Sequence, residues 1–83
     1  MTNKENRLQN DQSSVLENAR TELKELIQQA GSEEKAARLI LSVKGASPTS
    51  SALNKAKHGS GTLYVLKSYV TDLRIALKER NSH

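Results

Sequence analysis

Few residues of this 83-residue chain could take part in catalytic chemistry. There is no cysteine, so neither a thiolate nucleophile nor a disulfide can form. The two histidines, His58 and the terminal His83, are too far apart in sequence to suggest a metal-binding pair, and no glycine-rich phosphate loop is present. Glu33 and Glu34 are adjacent carboxylates, but they follow Ser32 at what reads as a helix start. Negative charge is favoured there by the helix dipole, which accounts for the pair better than acid–base catalysis does. His58 falls at a helix end, where it would complement the opposite pole of the dipole or meet a phosphate. This inventory leads us to expect no enzyme, no cofactor and no metal.

What remains is a set of small polar and basic side chains in the middle of the chain. Thr49, Ser50, Ser51 and Asn54 can each donate and accept hydrogen bonds, and asparagine can pair bidentately with adenine, so these four are the candidate base-reading residues. Lys44, Lys55, Lys57, His58 and Lys67 are the candidate phosphate contacts. Charge along the chain supports an anionic partner. Residues 1–34 hold four Lys or Arg against seven Asp or Glu, a net −3, whereas residues 35–83 hold nine against two, a net +7. Between Lys35 and Thr71 there is no acidic side chain at all. Interspersed opposite charges would serve solubility equally well, so this asymmetry favours binding to a polyanion. A solvated basic face with no partner is the plainer alternative, and the polar run at 49–54 could equally be a solvated helix or loop.

The elements that would position these residues read as helices. Residues 1–12 contain only Met1 and Leu8 as apolar residues and are expected to form a polar, disordered arm. Residues 13–83 form one helical domain. Ser14 and Glu17 fit a capping box that would start a first helix, whose apolar seam is Leu16, Ala19, Leu23, Leu26 and Ala30, ending at Gly31. Ser32 caps a second helix with Ala36, Leu39, Ile40 and Val43 inward and Gly45 as its stop. Ser47-Pro48 predicts a third helix over 48–58, since proline suits the first helical position, with Ala52, Leu53 and Ala56 inward. A fourth helix over 62–80 carries Leu63, Leu66, Val70, Leu73 and Leu77, widened by Tyr69 and Ala76. With no Phe or Trp, the core must be aliphatic, Tyr64 and Tyr69 being the only aromatics. So thin a core often gains stability from a partner, and a homodimer is expected. No apolar run approaches the roughly 18 residues of a membrane span, and residues 1–12 lack the apolar stretch of a signal peptide, so we expect a cytoplasmic location and no membrane attachment.

Over residues 23–70, Leu23-Lys24-Glu25-Leu26, Ala30-Gly31, Ser32-Glu33-Glu34, Ser47-Pro48-Thr49-Ser50-Ser51-Ala52-Leu53 and Gly59 together resemble the phage-repressor class of helix-turn-helix domains. The resemblance covers about half the chain. It implies an all-α bundle of about four short helices with a helix-turn-helix centre, a recognition helix at 48–58, and base reading by Thr49, Ser50, Ser51 and Asn54. Members of that family usually keep a small residue four before the turn glycine and an aliphatic one six after it. Leu41 and Ser51 stand at those positions here, which a longer turn, with Ala52 and Leu53 supplying the packing, would accommodate. The expected function is therefore sequence-specific binding of double-stranded DNA, as a small transcriptional regulator reading the major groove. The alternative is a helical protein-interaction module, such as an inhibitor, antitoxin or immunity-type protein, whose amphipathic helices bury against a protein partner.

Overall fold

Capping residues and glycines divide the chain into four helices. The computed structural model describes residues 2–81, with side chains over 14–81. In chain order the helices are α1 (Thr2–Ala30), α2 (Glu33–Lys44), α3 (Ser50–His58) and α4 (Leu63–Asn81), with no strand among the described residues. α1 runs on through Ser13 and Ser14, so Ser14 and Glu17 lie inside it instead of capping its start. The polar arm expected at residues 1–12 lies outside the residues whose side chains are described.

Ser32 caps α2, its hydroxyl accepting from the Lys35 N–H at 3.2 Å, and Glu33 and Glu34 occupy the first turn. Gly45 ends α2 with φ of 83°, a conformation that costs a side chain strain, and its N–H donates to Leu41 at 2.9 Å. The third helix departs from expectation. Its N-cap is Thr49, whose hydroxyl accepts from the Ala52 N–H at 3.0 Å, so Ser47 and Pro48 stay in the connection at 45–49. Pro48 there is half-buried and lines an apolar hollow with Tyr64 and Tyr69, a contact it would give up as the first residue of a helix. Thr62 plays a similar capping part for α4, accepting from the Val65 N–H at 3.3 Å.

The two long helices lie side by side and run parallel. The Arg74 guanidinium pairs with Glu22, and Arg80 donates to the Gln29 carbonyl at 3.3 Å, so later residues of α4 match later residues of α1. α2 packs on both, and α3 packs on α2 and α1. Leu23, Ile40, Leu53, Leu66 and Leu73 are fully buried, one or two from each helix, and each contributes about 1.5–3 kcal/mol by leaving water. The seams expected on the first and last helices are thus largely buried within one molecule, Leu16 and Leu63 at their ends only in part. Leu39 and Val43 are only half-buried, while Ile27, which lies beside the α1 seam, joins the core. Tyr64 lies outside the core, 81% exposed as a residue.

One polar contact sets where α4 begins. Arg20, halfway along α1, donates from Nη1 to the carbonyls of Ala56 at 2.7 Å and Ser60 at 3.0 Å. It thereby ties the end of α3 and the following turn to α1, and α4 must start at that level. Replacing Arg20 by alanine removes both charge-assisted bonds, leaving the Ser60 carbonyl to water, and is expected to lower unfolding free energy by about 1–3 kcal/mol. Urea denaturation checks this, and a loss below about 0.5 kcal/mol would show the clamp to be dispensable.

Candidate nucleic-acid interface

Only Leu53 and Ala56 of α3 are buried. A nine-residue helix anchored by two apolar side chains leaves one face outward, and Ser51, Asn54, Lys55 and His58 on it are all exposed. Ser50 is half-buried, and Thr49 is exposed with its hydroxyl oxygen committed to the cap. His58 donates from Nδ1 to the Asn54 carbonyl at 2.9 Å, closing the last turn of the helix over its own backbone. Leu53 supplies the anchor and Ala52 is half-buried, so the five-residue connection is followed by packing residues one and two positions beyond Ser51. Leu41, four before Gly45, is about half exposed.

α3 folds back toward the start of α2. Lys57, near the end of α3, donates to Glu33 Oε2 at 2.5 Å, and Ser50, Ser51 and Asn54 share a shallow depression with Ser32, Glu33 and Glu34. The structure therefore brings together three of the four base-reading candidates, but beside an acidic pair. Each side chain of the Lys57–Glu33 pair is 25% exposed, so water screens the attraction only in part. The Lys57 hydrogen bond, followed by one from the backbone N–H of Glu33 itself, holds this carboxyl below the usual carboxylate range; the charges of Lys57 and His58 act in the same direction and slight burial opposes them.

A carboxylate whose pKa is lower in the folded than in the unfolded chain stabilises the fold at neutral pH. That contribution disappears as pH falls through the folded-state pKa and the group takes up its proton. Glu33→Gln is therefore expected to lower the melting temperature at pH 7 and to match the parent chain once the carboxylate of the parent is protonated. Melting curves across the acid range test it, and a deficit that persists unchanged into acid would mean the glutamine disturbs something other than the ion pair.

The phosphate candidates are divided. Lys44 pairs with Asp72 at 3.0 Å and Lys57 with Glu33, so two of the lysines are engaged within the molecule. Lys55 on α3 and Lys67 on α4 are exposed and have no ion-pair partner among the described residues, and the same holds for Lys35 and Arg38 on α2. The linear stretch without acids thus overstates the free positive charge, because Glu33 and Asp72 reach in from outside it.

Tyr64 is a residue to which the sequence analysis gave no role, and the signal for its exposure was available. The 3-4 spacing of Leu63, Leu66 and Val70 leaves position 64 off the buried stripe, next to Lys67 and Ser68. Among the described residues no cluster of His, Asp or Glu could hold a metal ion, and no helix is long and apolar enough to cross a membrane. Comparison of the chain with protein-family models, with curated proteins and with solved structures finds no match.

Proposed function

We propose that this chain is a small sequence-specific DNA-binding protein, a cytoplasmic transcriptional regulator that lays the outer face of α3 in the major groove of duplex DNA. In this reading α2 and α3 act as a helix-turn-helix pair. The observation that carries it is the exposed face of α3, where Ser51, Asn54, Lys55 and His58 are exposed on a helix whose buried side chains are Leu53 and Ala56. Lys55 and Lys67, having no partner within the described residues, are the first phosphate contacts, with His58 one turn from Lys55 on α3. Lys44 and Lys57 would join only by giving up Asp72 and Glu33. The neighbouring Glu34 is compatible with a reading surface, because a carboxylate can accept a hydrogen bond from the exocyclic amine of cytosine.

Base reading has a specific signature. Asn54→Ala removes an amide that can pair with adenine and is expected to reduce discrimination between a selected site and random duplex by about 1–3 kcal/mol, leaving affinity for random duplex nearly intact. Binding-site selection followed by fluorescence anisotropy measures both quantities, and equal losses on all sequences would assign Asn54 to the backbone instead.

Exposed Leu41 on α2 and Ile75 on α4 favour a second reading, in which a protein partner or a second copy of the chain covers these helices. The buried seams of α1 and α4 have little left to offer such a partner, so the contact would have to use these outer residues.

A further inference from the structure

Tyr64 is the second residue of α4, and nothing in the described chain holds its ring. The residue is 81% exposed and its hydroxyl makes no hydrogen bond among the described residues. A chain with only two aromatic side chains leaves one of them on the surface at the cost of the apolar burial it could have contributed. Tyr64 lines a hollow with Pro48, Val65 and Tyr69 and an adjoining one with Lys67, Ser68 and Thr71. Ser68 is oriented by donating to the Tyr64 carbonyl at 2.8 Å. Two acids lie near: Asp72 is buried and paired with Lys44 at 3.0 Å, and Glu22, which shares a hollow with Lys67, is paired with Arg74, while Lys67 has no ion-pair partner among the described residues. The local surface is therefore an open aromatic face next to an uncompensated cation.

We propose that Tyr64 is a stacking platform for an unpaired nucleobase of a single-stranded nucleic acid, with Lys67 holding the adjacent phosphate. The shape and charge match that occupant, since every base offers a π-face to an aromatic ring and carries a phosphate one sugar away. An acidic peptide would meet the same lysine but has no general need of a flat aromatic face. The proposal rests on the reading that this chain binds nucleic acid, and it adds a contact that a duplex lying on α3 does not require.

With no tryptophan in the chain, intrinsic emission comes from Tyr64 and Tyr69 alone, which gives a direct readout. The full chain is titrated at low salt with a short oligothymidylate, following both tyrosine emission and the anisotropy of a labelled strand. The expected result is quenching on binding, retained in Tyr69→Phe and lost in Tyr64→Phe, which still binds. Tyr64→Ala is expected to weaken binding about 5- to 150-fold. Its side chain is outside the core, so the fold should survive, and circular dichroism of the variant checks that. Lys67→Ala should weaken binding while preserving the quench. Unchanged affinity of Tyr64→Ala, or emission unaffected by saturating oligothymidylate, overturns the platform. If duplex still binds while oligothymidylate does not, the platform alone is lost; if neither binds, the proposed function falls with it. Binding of a glutamate-rich peptide that depends on Tyr64, with no binding of oligothymidylate, would place a protein partner there and also overturn the proposal.

Discussion

Leu53→Ala is expected to cost about 2–5 kcal/mol of stability, the usual range for deleting a buried leucine side chain. A chain of this length has roughly 4–12 kcal/mol in total, so the variant would stand near the edge of folding. Leu53 is fully buried and is the only large apolar side chain that α3 sinks into the core, Ala56 being too small to replace it. The effect should accordingly be uneven. Amide exchange in α3 would accelerate most, because only the small Ala56 side chain, the Arg20 clamp and the Lys57–Glu33 pair would remain to hold it, while the amides facing the α1–α4 seam keep more of their protection. Urea denaturation gives the total and hydrogen exchange gives its distribution. A cost below about 1 kcal/mol would mean that polar contacts, and not Leu53, dock this helix.

The parts of this architecture that were legible in the sequence are those set by local rules. The four-helix division follows from Ser32, Gly31, Gly45 and Gly59, and the α4 stripe follows from leucine spacing, because both depend on residues within a turn or two of each other. The start of α3 was placed two residues early, at Ser47-Pro48. Ser47 came with a proline suited to the first helical position, yet Thr49 prevailed once Pro48 found apolar neighbours on α4, contacts invisible along the chain. Ile27 was missed for a similar reason. An isolated amphipathic helix needs one stripe, but α1 touches α2, α3 and α4 and so buries a wider strip.

Electrostatics were the least legible. The partners Lys44 and Asp72 lie 28 positions apart and Lys57 and Glu33 lie 24 apart, so only the fold shows that these lysines are occupied. Linear charge counting correctly located an excess of cations but could not say which of them face solvent unpaired. That distinction moves the weight of the proposed interface from Lys44 and Lys57 to Lys55 and Lys67.

The account therefore stands on those exposed cations holding phosphates, and the salt dependence of duplex binding measures this directly. Each phosphate neutralised releases condensed counterions, giving a slope of about −0.9 per contact in a plot of log affinity against log salt. Three contacts, supplied by Lys55, Lys67 and one further cation, predict a slope near −2.7, so that affinity falls about 40-fold between about 50 and about 200 mM salt. Lys55→Ala should reduce that slope by about one unit, whatever the duplex sequence. Anisotropy titrations of a labelled duplex with the full chain would supply the number. A slope near the predicted value that flattens in Lys55→Ala supports the account, whereas no duplex binding at low salt, or binding indifferent to salt, contradicts it.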